Sequence, residues 1–296
     1  MIEIKNLSKR FSDKEVLKDV NLKIEEGKVF GLVGINGSGK STLLRLLSGI
    51  YKQNEGTILV DGEEVYENEN AKAKIFFLPD EPYYESNTTP LTIIDLYKTY
   101  YDFDEKEYLK YIDQFKLPLK KTMKNFSKGM KRQVFISLAL SIKPKYLFLD
   151  EAFDGLDPLA RLAFKRALVD LVEDKKTTII ISSHSLRELE DICDSYGLLD
   201  NKNISSYGDM DVALSKVHKY QVAFDKVMDK EDFDIEFISF AKDNRIVKVV
   251  VEDDLETFKE KIKKYNPLLI DEIAIDFEEL FIIEVERRGY LNDQNN

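Results

Sequence analysis

A single cysteine, Cys193, among 296 residues excludes an internal disulfide. It falls on the apolar side of a helical pattern and is expected to be inert core. Long apolar runs are missing too. Spanning a bilayer needs roughly 20 consecutive apolar residues, and the best candidates here, Ile75–Leu78 and 179–181, are strand-sized. The opening Met-Ile-Glu-Ile-Lys has no signal-peptide character. The chain is therefore expected to be soluble and cytoplasmic. There is no basic excess: 44 Lys and Arg stand against 55 Asp and Glu, a net charge of −11. Generic nucleic-acid binding needs phosphate-neutralising cations, so no nucleic-acid partner is expected. The acid excess is uneven. Residues 1–217 carry 32 basic and 35 acidic side chains, whereas 218–296 carry 12 and 20. The shift points to two domains, 1–217 and 218–296. Internal repeats and low-complexity stretches are also lacking, and the tail 292–296 is expected to be disordered.

What is present begins with Gly34-Ile35-Asn36-Gly37-Ser38-Gly39-Lys40-Ser41. The pattern G-x-x-x-x-G-K-[ST] is a phosphate-binding loop, and it needs a strand before it and a helix after it. The apolar run Val29–Val33 supplies the strand, and Thr42-Leu43-Leu44-Arg45-Leu46-Leu47 supplies the helix. Glycines let several backbone N–H groups converge on one point, and the helix aims its positive end there. Lys40 then suits the β- and γ-phosphates, and the Ser41 hydroxyl suits Mg²⁺. The loop and Thr42 are the candidate nucleotide site.

Around this loop, short strand signals alternate with helical ones. Ile2/Ile4, Leu22/Ile24, 57–60 and Ile75–Leu78 read as strands. Residues 91–130 read as mostly helical and are rich in tyrosine. A helix is expected over 129–141, stopped by Lys143-Pro144. The fully apolar 146–149 and 178–181 read as buried parallel strands. Asp157-Pro158 reads as the N-cap and first position of a helix, and Ser185-x-x-Glu188 reads as a capping box. Alternation of this kind means an α/β layered domain. Beyond 218, strands are expected at 221–224, 235–240, Ile246–Val251 and 268–275. Helices are expected at Leu255/Phe258/Ile262 and over 277–288, the second closed by Gly289. That is a small α+β unit.

The apolar run 146–149 ends in Asp150-Glu151. Asp150 suits holding Mg²⁺, and Glu151 suits polarising the water that attacks a γ-phosphate. Next comes Phe126-Ser127-Lys128-Gly129-Met130-Lys131-Arg132-Gln133. Here the chain resembles the ATP-binding cassette family, the ATPase subunits of ABC transporters. The usual signature of that family is Leu-Ser-Gly-Gly-Gln; Ser127 and Gly129 match it, while Phe126, Lys128 and Met130 depart. The Ser-Lys-Gly-Met form is similar to the branch that pairs with ABC-2-type permeases, which mostly export. Other marks of the family follow in order over roughly 1–217. Phe11 matches the aromatic that stacks on adenine, Gly155-Leu156-Asp157 the D-loop, and His184 the switch histidine after Thr178–Ser183. The segment after 217 is similar to the C-terminal extension of that branch. Where the family has a Q-loop glutamine, Leu78-Pro79-Asp80-Glu81-Pro82 aligns Asp80, which can bind Mg²⁺ or orient water but cannot donate as an amide does.

The resemblance implies a RecA-like core with an antiparallel β subdomain and a helical signature subdomain, followed by the α+β extension. It implies ATP and Mg²⁺ as ligands, with Glu151 and His184 catalytic and Ser41, Asp80 and Asp150 at the metal. Phe11, the phosphate loop, Ser127, Lys128, Gly129 and Asp157 would touch ATP. Lys128 either strengthens the partner's anion site or points to solvent. With one phosphate loop and one signature, a closed pocket implies a head-to-tail pair, either of identical or of different cassettes. A separate integral-membrane permease would place the protein on the inner face of the cell membrane. The leading expectation is the engine of an exporter. The alternative is a soluble ATPase of the family that remodels a protein or ribosome complex without a permease. Tyr83, Tyr84 and the tyrosines at 97–111 are subdomain core, or partly a groove for a permease helix.

Overall fold

The computed structural model describes residues 1–287. The expected Arg288, the Gly289 cap and the tail 292–296 lie outside the described residues. Two compact units divide at Gly208/Asp209, earlier than the expected 217/218.

The first unit holds two sheets. Its elements run β1 (Ile2–Phe11), β2 (Lys14–Ile24), β3 (Val29–Val33), α1 (Lys40–Leu47), β4 (Glu55–Val60), β5 (Glu63–Glu64), α2 (Glu69–Lys72), β6 (Ile75–Leu78), α3 (Ile93–Tyr100) and α4 (Glu105–Gln114). Then follow α5 (Lys128–Ile142), β7 (Tyr146–Asp150), α6 (Pro158–Lys175), β8 (Thr178–Ser183), α7 (Leu186–Glu190), β9 (Ser195–Asp200) and β10 (Asn203–Asp209). An antiparallel sheet has the order β2-β1-β4-β5, and a six-stranded sheet has the order β10-β9-β3-β8-β7-β6. In the latter, β9, β3, β8, β7 and β6 run parallel. Strands covered on both faces read as apolar throughout, and β3 and β7 are buried at every position.

Helix α1 packs into the core shared by the two sheets. Leu43, Leu44, Leu46 and Leu47 are at most 1% exposed, among Ile2, Leu7, Leu17, Phe30 and Tyr146. Burying one such leucine stabilises by about 1.5–3 kcal/mol. The residues before these helices explain where they start. Asp157 caps α6 through Leu159 and Ala160 N–H, with Pro158 in its first turn. Ser127 caps α5 through Met130 N–H, and α5 ends where Lys143 turns left-handed before Pro144. The stretch 91–130 is less helical than expected: α3 and α4 are separated by loops, and only a 3₁₀ turn precedes α5.

The capping box at Ser185 does not form. Ser185 precedes α7 without a side-chain cap, and Glu188 turns instead to Ser183 and Arg161. Cys193 is buried as expected, and burial pushes its thiol pKa far above the usual range.

The second unit starts with α8 (Met210–Leu214), followed by β11 (His218–Ala223), β12 (Ser239–Asp243), β13 (Ile246–Val251), α9 (Leu255–Ile262), β14 (Leu269–Ile273) and α10 (Phe277–Arg287). Its antiparallel sheet has the order β12-β13-β11-β14. Alternate residues Tyr220, Val222, Val247, Val249 and Val251 form the core with Phe258 and Ile262 of α9. The expected strand at 235–240 begins only at Ser239, because Phe233, Phe237 and Phe240 pack on one another as an aromatic cluster. Among the described residues, no helix is long and apolar enough to cross a membrane.

Candidate functional site

Ligands of open parallel sheets bind beyond the carboxyl ends of the strands, and three neighbouring strand ends meet here. The phosphate loop leaves β3, Asp150 ends β7 with Glu151 next, and Ser182-Ser183 end β8 with His184 next. The order β3-β8-β7 makes these ends adjacent, with Val33 opposite Ser183 and Asp150 opposite Ser182.

Gly39 is the N-cap of α1 at φ +112, a conformation open to glycine and closed to L side chains. No side chain caps α1, and no acid occupies its first turn. Its first N–H groups and its positive end are therefore left to face an anion. Lys40 is 6% exposed and folds back into the loop, where Nζ donates to the carbonyls of Gly34 at 2.7 Å and Ile35 at 3.3 Å. Burial lowers its pKa, opposed by the charges of Glu151 and Asp150. A cation held by carbonyls inside a glycine loop suits a phosphate. Thr42 continues α1, and Gly34 to Ser38 form the loop's span.

Asp150 is fully buried. Its Oδ1 accepts from Ser41 Oγ at 3.0 Å and Ser182 Oγ at 2.7 Å. Its Oδ2 is buried with no hydrogen-bond partner. An orphaned buried carboxylate oxygen beside a hydroxyl is a donor set that fits Mg²⁺, and Ser41 with Asp150 would hold it. Asp80 is engaged elsewhere. Its carboxylate is 2.5 Å from Arg132 Nη2. The same buried guanidinium, 2% exposed, also donates to the carbonyls of Pro79 at 3.1 Å and Asp80 at 2.6 Å. A carboxylate taken up by a fixed guanidinium does not fit as a metal ligand. In this structure Asp80 ties the loop after β6 to α5.

Glu151 lies at φ +48, the left-handed region that is strained for any residue with a Cβ, and its N–H is held by Ser182 O at 3.1 Å. Its Oε2 meets His184 Nδ1 at 2.8 Å and accepts the His184 backbone N–H at 3.3 Å. Its Oε1 lies 3.6 Å from Lys40 Nζ. The hydrogen bond to Glu151 is the main cause that raises the pKa of His184. Lys40, Ser41, Asp150, Glu151 and His184 thus form one connected group.

The remaining expected residues lie outside that group. Phe11 ends β1 half-exposed, edge-on to Tyr51 at 5.3 Å with Lys9 Nζ 4.8 Å from its ring. Ser127 accepts Met130 N–H and keeps its own O–H to donate. Lys128 is 63% exposed, with Asp154 at 3.8 Å as its nearest acid. Gly129 packs against the D-loop turn: a Cβ there would collide with the Gly155 carbonyl oxygen. Asp157 caps α6. Ser182, Ser183, Arg132, Arg161 and Glu188 also reach the site segments. The sequence signals for them were the pair of serines ending an otherwise apolar strand and the capping-box spacing that named Glu188.

The family profile described as ABC transporter matches residues 17–154. The ABC transporter ATP-binding protein YtrB of Bacillus subtilis is 32% identical over 283 residues, covering 95% of this chain and 97% of YtrB. The methionine import ATP-binding protein MetN of Clostridium tetani is 33% identical, over 71% of this chain and 70% of MetN. A solved ATP-binding subunit of an ABC transporter superposes with a TM-score of 0.66 at 30% identity, over 72% of this chain and 91% of its own.

Proposed function

This chain belongs to the ATP-binding cassette family as an ATPase subunit of ABC transporters, and on that premise we propose that it drives an exporter as one half of an ATP-closed cassette pair. The observation that carries the reading is the connected group of Lys40, Ser41, Asp150, Glu151 and His184, with Ser127 and Asp157 outside it. Lys40 and the N–H groups of the loop hold the triphosphate from one side. Ser127, Gly129 and the positive end of α5 are left to cap a triphosphate held by a second cassette. Phe11 offers a face for adenine.

Ser41 and Asp150 would hold Mg²⁺, which when bound supplies charge neutralisation at the phosphate oxygens. Glu151 takes the proton of the attacking water, and His184 fixes the orientation of that carboxylate. Release of the γ-phosphate weakens the pair, so hydrolysis becomes a population shift between closed and open cassettes.

The outward direction is favoured by Ser127-Lys128-Gly129-Met130 in place of the usual signature. YtrB is matched over 95% of the chain, so the match reaches the second unit, whereas the import protein MetN is matched over 71%. A permease would sit against the groove of about 370 Å³ lined by Tyr83, Tyr84, Thr88, Leu96 and Tyr97. Tyr83 is 87% and Leu96 58% exposed there, while Tyr108 is fully buried core. The pair would then work on the inner face of the membrane.

The test is Glu151→Gln. Expected is a protein that binds Mg·ATP, turns over at least roughly a hundredfold more slowly, and elutes as a dimer only with ATP. A variant that hydrolyses like the parent, or that encloses ATP as a monomer, would overturn the reading.

A further inference from the structure

Arg161 belongs to none of the motifs above and Glu188 only to the capping box that does not form, yet they join two segments of the site. Glu188 lies in α7, four positions after His184, with a side chain only 9% exposed. Its Oε1 is 2.5 Å from Arg161 Nη1, and its Oε2 accepts from Ser183 Oγ at 3.0 Å. Ser183 Oγ in turn accepts the backbone N–H of Ser185 at 3.0 Å. Both neighbours of His184 are therefore tied to one buried carboxylate. Arg161, in the first turns of α6, also donates through Nε to the carbonyl of Leu156 at 3.1 Å. Leu156 is the middle of Gly155-Leu156-Asp157, the turn whose Gly155 carbonyl packs on Gly129.

We propose that Arg161 and Glu188 are positioning residues for ATP hydrolysis, a two-point clamp that fixes the turn 155–157 and the His184 segment at one spacing so that His184 stays seated on Glu151. This rests on Glu151 and His184 being the hydrolytic pair. The physical need for a clamp is visible in α7. It has five residues and no side-chain cap, too little to hold its own start in place. A guanidinium is suited to the task because its planar fork engages two acceptors at once in fixed geometry. The carboxylate, once buried, is costly to leave unpaired, so the two groups hold each other. His184 is itself half-exposed, and it is anchored by its backbone N–H and its Nδ1 on Glu151.

The experiment compares full-length Arg161→Lys, Arg161→Gln and Glu188→Gln with the parent and with Glu151→Gln. Displacing a reacting group by a fraction of an ångström to an ångström lowers kcat by roughly ten- to a hundredfold. KM should stay within about twofold, since the phosphate loop is untouched. The double variant Arg161→Gln/Glu188→Gln should lose no more than the worse single one, because the clamp acts as a unit.

A second readout follows the His184 ring by NMR in Arg161→Gln. Removing a nearby cation by itself moves a histidine titration midpoint up, whereas loosening His184 from Glu151 moves it down. The expected movement is down. Arg161→Lys keeps the charge, loses the fork and carries the kinetic test if Arg161→Gln does not fold; it should still lose kcat. Parent-like kcat in Arg161→Lys and Glu188→Gln, or an upward midpoint, would overturn the clamp. If instead Glu151→Gln hydrolyses like the parent, the hydrolytic pair falls, while the midpoint still reports whether the clamp seats His184.

Discussion

At Glu151 and His184 a titrating imidazole meets a carboxylate that is itself expected to take a proton. The hydrogen bond to Glu151 raises the His184 pKa from its ordinary value of 6.5, with the nearby charges of Asp154 and Glu188 adding to it. The sign follows from which form the contact favours. The imidazolium is stabilised in the folded protein, so this contribution is fully present below about 6.5 and is lost as pH rises through the higher folded value. A titration followed by NMR should place the His184 midpoint above 6.5 in the parent and closer to it in Glu151→Gln. A parent midpoint at or below that value would separate the two residues. Asp150 gives a second residue-level expectation. Its unpartnered Oδ2 marks it, with Ser41, as the metal position. Asp150→Asn should raise the Mg²⁺ concentration for half-maximal ATPase activity by about tenfold or more. Asp80→Asn should leave it near the parent, since that carboxylate belongs to Arg132. An equal effect of both substitutions would return Asp80 to the metal.

At the scale of elements, the short turn between β7 and α6 is held from two sides. Gly155 abuts Gly129 at the start of α5, and Leu156 O is held by Arg161 of α6. Gly129, the glycine of the signature segment, is therefore required by close packing inside one protomer, whatever it does toward a partner. Gly129→Ala places a methyl against the Gly155 carbonyl. Overpacking of this kind costs about 1–3 kcal/mol. The melting temperature should fall accordingly, and ATP-driven pairing should be lost while a single cassette still binds ATP. Unchanged stability and unchanged pairing would show that the turn yields freely. In the same way, the buried Arg132 joins α5 to the loop after β6 through three hydrogen bonds. The capping and helix-stop signals at Asp157-Pro158 and Lys143-Pro144 act within a few residues of chain. They were legible for that reason. The ties made by Arg132 and Arg161 cross 52 and 27 positions or more of chain, respectively, to Asp80 and Glu188, and no local pattern announces them.

At the scale of the whole molecule, the proposed pair, argued from one phosphate loop and one signature segment, would build each pocket from two chains. In a Glu151→Gln background, adding Ser127→Arg should leave ATP binding by the single cassette within about threefold of the parent and abolish the ATP-dependent dimer on a sizing column. Dimerisation that survives Ser127→Arg would rule out capping in trans. The second unit contributes its own core, centred on Tyr220 stacked on Phe258 at 4.4 Å. The match to YtrB over 95% of this chain extends into this unit.

The amino-acid sequence alone determined the phosphate loop, the carboxylates after 146–149 and the strands Val29–Val33, Ile75–Leu78 and Ile246–Val251. In each, backbone conformation and burial follow from a few adjacent residues. It did not disclose β9 and β10, whose Gly197, Asn203, Ser205 and Ser206 interrupt the apolar pattern; β9 is a strand because it pairs with β3. Nor did it disclose the role of Asp80, or what Glu188 holds in place of a helix cap. Only the tertiary fold decided those, because charges find their partners by proximity in space, and the fold alone brings α5 to the loop after β6, α6 to α7, and the ends of β3, β8 and β7 side by side.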